Sequence, residues 1–305
     1  MTRRRDHGTM RVETIVVTTT SKPILYGLGV RAWKFLRTAT IASFHTGFMN
    51  LGGLRFARRH WGLDWFEINH LTLTLPRLAP EFRGYRLLQI SDIHMDGWMT
   101  RRRLTAIVDL VNQQQPDLVA ITGDFVTYAT ELFVADLRAA LARLTPPDGA
   151  VAVLGNHDHW QQPALLRQMF QEAGLIDLNN AVHVVRRGDA CLHLAGVDDV
   201  RAGAARLGDV LALLPAAGCA ILLAHEPDFA DVAAATGRFD LQLSGHSHGG
   251  QIVLPLIGPP FLPSMGRKYP IGRYTVRSMT LYTNRGLGVI PRLNCRPEIS
   301  VFTLL

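Results

Sequence analysis

Seven side chains able to bind a cation stand at the ends of five short apolar runs in this 305-residue chain. Asp92 and His94 follow the first run, Asp124 the second, and Asn156 the third, with His157 and Asp158 directly behind it. His225 closes the fourth run, and His246 and His248 the fifth. In "LSGHSHGGQ" (243–251) two imidazoles sit one residue apart among glycines, which turn tightly without Cβ clashes, so two rings can leave one strand end in different directions. Carboxylates, imidazoles and one carboxamide, with no thiolate, suit Mn²⁺, Fe or Zn²⁺ rather than an all-oxygen Ca²⁺ site. Seven such groups exceed the needs of one tetrahedral ion, and the economical reading is a dinuclear centre bridged by Asp124. Such a centre polarises a phosphoryl group and acidifies water to a hydroxide nucleophile near neutral pH, so the expected reaction is phosphoester hydrolysis.

These residues converge only if the runs are strands that deliver their carboxyl ends to one rim. The runs are "YRLLQIS" (85–91), "DLVAITG" (117–123), "GAVAVLG" (149–155), "CAILLAH" (219–225) and "DLQLSG" (240–245), alternating with helical patterns in a layered α/β rhythm. Between the first two, Leu104, Ile107, Val108 and Val111 form one helical face, with Thr100 as N-cap. Residues 131–144, 162–175 and 205–215 read as further helices, and "NAVHVVRRGDACLHLAG" as a hairpin. After Gly250 a Pro- and Gly-rich stretch precedes two strand-like runs, "SMTLYTN" and "EISVFTLL"; a loop that long is expected to border the active site.

With 48% hydrophobic and 19% charged residues the chain has the composition of a folded globular protein. Its three cysteines, Cys191, Cys219 and Cys295, are widely separated and fit apolar packing rather than a zinc spacing or a disulfide framework. The net charge of +7 is uneven. Residues 1–60 hold eleven Lys/Arg against Asp6 and Glu13, a surplus of +9 that leaves −2 for the remainder. The expected organisation is therefore a basic arm, 1–60, followed by a catalytic domain, 61–305. Within 24–56, Arg31, Lys34 and Arg37 recur every three residues among Trp33, Phe35, Phe44 and Phe48, so a helix there would lie along an anionic bilayer. The expectation is peripheral membrane contact on the cytoplasmic side. A helical arm packed on the body, in a soluble cytoplasmic protein, and uncleaved export stay open, as does initiation at Met10. Nucleic acid is not an expected partner, because the cations gather on the arm and no basic-aromatic stripe tracks a strand.

D-x-H at 92–94, G-D at 123–124, G-N-H-D at 155–158, His225 and G-H-x-H at 245–248 together resemble the calcineurin-like metallophosphoesterase superfamily, every block present and in order from about Tyr85 to the C-terminus. The tail, with "GHSHGGQIVLPLIG", "GRKYPIGRY" and "NRGLGVIPRLNCRPEIS", is similar to the bacterial branch that includes the YkuE and YaeI phosphoesterases and certain UDP-diacylglucosamine pyrophosphohydrolases. The resemblance implies a four-layer sandwich of two mixed β-sheets flanked by helices. It implies one ion on Asp92, His94 and His248, a second on Asn156, His225 and His246, and Asp124 between them. His157 would donate a proton or hydrogen bond to the leaving or a non-bridging oxygen, and Asp158 would orient it.

Around that set, His159, Arg267, Lys268, Arg292 and Asn294 are candidate substrate contacts, the cations because the substrate is anionic. His183 and His193 read as structural, and Asp198 and Asp199 as braces for a metal-ligating imidazole or as turn caps. The expected substrate is a phosphodiester or pyrophosphate, lipid-linked like a UDP-diacyl-sugar. A soluble nucleotide phosphodiesterase or phosphomonoesterase, and a metal-bound scaffold without turnover, are the alternatives.

Overall fold

All five apolar runs are strands, and they divide between two sheets. The computed structural model describes residues 65–289 and 291–305; the arm expected over 1–60, with the stretch 24–56, lies outside the described residues. The first sheet contains β1 (Glu67–Leu73), β2 (Arg86–Ile90), β3 (Leu118–Thr122), β4 (Ala150–Val153), β5 (Leu175–Asp177) and β12 (Glu298–Leu304), in the order β1-β12-β2-β3-β4-β5. The second contains β6 (Ala181–Arg187), β7 (Ala190–Gly196), β8 (Ala220–Leu223), β9 (Leu241–Ser244), β10 (Gly272–Val276) and β11 (Met279–Thr283), in the order β10-β11-β9-β8-β7-β6. Both are mixed: β2, β3, β4 and β5 run parallel while β12 lies antiparallel to β2, and β7, β8, β9 and β11 run parallel between the antiparallel strands β6 and β10.

The central strands read as continuous apolar runs because both of their faces are buried. Between the sheets, Leu87, Leu118, Ala120, Val151 and Val153 meet Leu192, Leu194, Ile221, Leu223, Leu241 and Leu243. Outside the second sheet, Leu222, Ala224 and Leu281 pack with Val210 of α5 (Leu207–Leu213) and Ala230, Ala233 and Ala234 of α6 (Ala230–Ala235). Three longer helices accompany the first sheet in the chain: α1 (Arg101–Gln113), α2 (Thr130–Leu141) and α4 (Pro163–Ala173). In α1 the expected face is buried, and Thr100 Oγ1 accepts from Arg103 N at 3.4 Å. Pro163 opens α4 and Gly174, at φ 74°, closes it, as each residue's backbone preference favours.

The strands β1, β5 and β10 and the short helices α3 (Asn156–Trp160) and α6 are additions to the elements expected from sequence. β1 is a half-exposed edge strand whose polar Glu67, Asn69 and His70 mask its pattern, and its order comes from a long-range parallel pairing with β12.

Candidate metal centre

Parallel strands place their carboxyl ends side by side, and the loops that follow are tied to one another by backbone. Asp92 N donates to Gly123 O (2.9 Å), His94 N to Asp124 O (3.0 Å) and Gly245 N to His225 O (3.0 Å). The loops can approach so closely because two glycines carry no side chain. A Cβ at Gly245 would collide with Ser91 Oγ and Asp92 Oδ2, and one at Gly155 with Asp124 Oδ1. The backbone is also bent out of its ordinary regions: Asp92, His94, Asp124, His246 and His248 all have positive φ, between 49° and 69°. Left-handed conformations in residues other than glycine cost about 1–3 kcal/mol each and persist where the surroundings impose them. Five of the fourteen non-glycine residues with positive φ among the described residues are thus among the seven side chains that the sequence singled out.

The result is two overlapping groups of ligand atoms. Asp92, His94, Asp124 and His248 form one, and Asp124, His225 and His246 the other, with the ligand atoms of each group within 4.8 Å of one another. Asp124 belongs to both: its Oδ2 lies 3.4 Å from His94 Nε2 and 3.2 Å from His225 Nε2. Asn156 opens α3 next to Gly155, and its buried Oδ1 has no hydrogen-bond partner. His94 Nε2 is likewise buried without one. A buried carboxamide oxygen and a buried ring nitrogen left unpaired beside a shared carboxylate are costly for a fold and fit a cation.

Carbonyl oxygens fix which ring nitrogens are presented. His225 Nδ1 lies 2.7 Å from Thr122 O, and His246 Nε2 2.9 Å from Ser264 O. A carbonyl can only accept, so these nitrogens carry the protons, and His225 Nε2 and His246 Nδ1, 3.2 Å apart, face each other across the site. Burial, followed by the charge on His225, pushes His246 down to about 3, which keeps its ring neutral. Burial also lowers His248, helped by His94. For Asp124 burial acts in the opposite direction, but His225 and then His157 hold the carboxyl well below the usual carboxylate range.

Residues 85–250 match the family model described as Calcineurin-like phosphoesterase. The chain belongs to that family. It is 34% identical over 262 residues to an uncharacterized metallophosphoesterase of Bacillus subtilis (strain 168), YkuE, covering 83% of this chain and 90% of the relative. It is 30% identical over 249 residues to the phosphodiesterase YaeI of Escherichia coli (strain K12), covering 79% and 89%. It is also 32% identical over 260 residues to a transmembrane protein with metallophosphoesterase domain from Danio rerio, covering 78% of this chain and 57% of that one. This calcineurin-like protein is thus a hydrolase of phosphoric esters, of a family that uses two divalent metal ions, and it has acidic and imidazole clusters able to hold them.

In this phosphoesterase His157 stands beside the ligand groups, its ring centroid 4.8 Å from that of His94. The expectation that Asp158 orients it is corrected. His157 Nδ1 lies 3.1 Å from Thr127 O, whereas the Asp158 carboxylate accepts from Phe125 N (2.9 Å), Val126 N (3.3 Å) and Gly155 N (2.9 Å). Neighbours on a helix point roughly 100° apart, so Asp158 turns inward and ties the loop after β3 to the start of α3. Burial, then the charge on Asp124, pushes its carboxyl up to about 7.

The five candidate substrate contacts fare differently. Arg292 is buried, bonded to Gly288 O and Val289 O, with Nη2 3.4 Å from His248 Nδ1 and Nη1 lacking a partner. The other four stand outside both ligand groups. Lys268 Nζ is engaged by Asp231, Arg267 Nε reaches Leu262 O, and Asn294 Nδ2 donates to Val253 O. His159 pairs with Asp198 at 2.6 Å, and Asp198 also takes Arg167, so Asp198 holds His159, which is in neither ligand group, rather than a metal-ligating imidazole. Asp199 accepts from Ala202 N and caps a turn.

Two residues escaped the sequence reading. The Trp160 ring packs against His157 at 4.4 Å between centroids while 53% exposed, and Arg201 sits over it at 5.6 Å. Trp160 follows His157 by three on a helix and so shares its face, a spacing visible in "NHDHW".

The His159–Asp198 pair gives a first prediction. The hydrogen bond to Asp198 raises His159; for Asp198 burial acts upward, but the bonds from His159 and from Asp199 N, with the charges of His159 and Arg167, together hold the carboxyl below its usual range. A raised histidine stabilises the fold fully below its ordinary range, and this is lost as pH rises through the raised value. A lowered carboxyl stabilises above its ordinary range, and this is lost as pH falls through the lowered value. His159→Ala should therefore cost most in mildly acidic solution and progressively less toward alkaline pH, at about 1 kcal/mol or below because the ring keeps some contact with solvent. Chemical denaturation of both proteins across a pH series measures it, and a cost that grows with alkalinity contradicts the pairing.

Proposed function

We propose that the protein hydrolyses a phosphodiester or pyrophosphate bond in a lipid-bearing substrate such as a UDP-diacyl-sugar. The observation that carries the hydrolytic centre is the membership of Asp124 in both ligand groups. Asp92, His94 and His248 would hold one ion, Asn156, His225 and His246 the other, with Asp124 shared. Bound there, divalent cations supply polarisation of phosphoryl oxygens and acidification of a water molecule. The chain supplies the rest. Carbonyl-held imidazoles keep their lone pairs fixed, and His157, with Nδ1–H committed to Thr127 O, directs Nε2 into the site, where the doubly protonated ring would donate to a leaving or non-bridging oxygen. Arg292, with an unpaired Nη1, adds a fixed positive charge beside His248.

The lipid-bearing substrate is supported by the composition of residues 1–60, a basic and aromatic arm that accords with peripheral attachment on the cytoplasmic side of a membrane. Within the described residues no helix is long and apolar enough to cross a bilayer. The division into that arm and a catalytic domain over 61–305 is part of the same proposal. A second reading, a soluble nucleotide phosphodiesterase or phosphomonoesterase, is favoured by the exposed Trp160 beside His157, an aromatic face on which a nucleobase can stack.

Metal-stripped protein should lose hydrolysis of bis(4-nitrophenyl) phosphate and regain it with Mn²⁺, Fe²⁺ or Zn²⁺. Chelator-resistant turnover would remove the centre from the reaction. With the reloaded enzyme, kcat/KM for a UDP-diacyl-sugar should exceed that for the chromogenic diester by about a hundredfold or more, because binding energy from remote parts of a true substrate lowers its barrier. Equal values, or higher values for simple nucleotides, favour the second reading.

A further inference from the structure

Of the large hydrophobic side chains exposed among the described residues, Leu256, Ile257, Phe261, Ile271 and Leu293 all fall within residues 251–297. That stretch also carries seven Lys/Arg and not one Asp or Glu, in a body that is otherwise acidic. Its outermost part is a tight reversal: Leu254 and Gly258 exchange both backbone hydrogen bonds, at 3.0 and 2.9 Å, and Leu256 takes a φ of 65° to complete the turn. Leu256 is wholly exposed there and Ile257 is 75% exposed. Folding does not drive such residues outward, since burying each side chain would be favourable by roughly 1.5–3 kcal/mol.

The base of the reversal is anchored to the candidate metal centre. Val253 N donates to Leu293 O (2.9 Å) and Leu293 N to Gln251 O (3.0 Å), three residues beyond His248. A Cβ at Gly250 would collide with Pro259 Cβ, so the loop lies directly on the turn that follows His248. Further along, Ser264 O holds His246 Nε2. Arg267, exposed, reaches back to Leu262 O, and Arg273 and Arg277 are exposed on and beside β10.

We propose that residues 252–262, with Leu293, dock on an anionic lipid bilayer, Leu256 and Ile257 entering the interface while Arg267 lies against the headgroups. Apolar side chains at the tip and the exposed Arg267 and Arg273 behind it meet the two components of such a surface: acyl chains below, negative charge at the rim. A docked loop fixed to His246 and His248 would hold the centre at headgroup level. The inference deepens the reading of the site as one that acts on lipid-bearing phosphoesters, and the test separates the two.

Full-length protein and the Leu256→Asp/Ile257→Asp variant are sedimented with vesicles of phosphatidylglycerol and phosphatidylcholine at 3:7, and both are assayed on soluble bis(4-nitrophenyl) phosphate. The double variant should partition at least tenfold more weakly while hydrolysing the soluble diester at the wild-type rate, and wild-type binding should fall on vesicles of phosphatidylcholine alone. A Leu256→Trp protein should show an emission blue-shift, beyond that of wild type, when anionic vesicles are added. No blue-shift in the Leu256→Trp protein overturns the docking surface, whatever partitioning the arm sustains in the double variant. So does a wild-type dimer in light scattering that the double variant converts to monomer with vesicle binding unchanged, since the tip then covers a second copy. Vesicle binding lost in the double variant of a protein inactive on every phosphoester would retain the surface and remove the hydrolytic reading instead.

Discussion

Asp124→Asn is expected to lower kcat/KM for any phosphoester by about a thousandfold or more, ~4 kcal/mol of transition-state stabilisation, and to deplete bound metal from both halves of the centre. Asn is nearly isosteric, so Oδ1 can still accept from His157 N, as Asp124 does at 2.8 Å. What changes is the other side. Oδ2 faces His94 Nε2 and His225 Nε2, and in Asn an NH₂ donor with no negative charge takes that place. No other described residue belongs to both ligand groups, so no neighbour replaces the lost charge. Metal content by plasma emission, measured beside activity, decides the matter. A variant that keeps two equivalents of metal and wild-type turnover would show that Asp124 is a structural brace alone. The comparison with Asp92→Asn is informative, because Asp92 belongs to one group only and its loss should spare the ion on the other side.

The centre was legible in the sequence because it obeys a topological rule: ligands at the ends of strands meet if the strands are parallel neighbours. β2, β3 and β4 are adjacent in one sheet and β8 and β9 in the other, so that rule gathers Asp92, Asp124 and Asn156, and separately His225 and His246, and the stacking of the two sheets joins the two sets. Side-chain direction was less legible. "HD" at 157–158 places an acid beside an imidazole in the chain, yet in α3 the two point apart and Asp158 serves three backbone amides. The loop cations illustrate the same limit. Arg292 and Lys268 look alike in sequence, but one is buried against Gly288 O beside His248 and the other is held at the surface by Asp231. Which loop cation reaches the site depends on how residues 251–297 fold back, and no periodicity encodes that. The edge strand β1 was illegible for a further reason: half of its side chains face solvent, and its partner β12 lies at the opposite end of the domain's sequence.

His157→Ala should divide binding from chemistry. The expected loss in kcat is about 10²–10⁴-fold, the usual contribution of a positioned acid or base, with metal content unchanged, because His157 belongs to neither ligand group. The backbone of α3 has no need of the ring: His157 N donates to Asp124 Oδ1 through the main chain, and Asp158 ties down Gly155 and Phe125 independently. Removal of the ring takes away the partner of Thr127 O and uncovers one face of Trp160. If His157 serves the leaving oxygen, the loss must depend on the leaving group. A 4-nitrophenolate departs with little assistance, so bis(4-nitrophenyl) phosphate should lose the least, and an alkyl or sugar leaving group, which needs a proton as the bond breaks, should lose the most. If instead the ring contacts a non-bridging oxygen, the losses should be equal across leaving groups, because charge on that oxygen develops alike in all of them. A series of aryl and alkyl diesters on wild-type and variant enzymes separates these outcomes, and a variant as active as wild type on all of them would exclude His157 from the reaction.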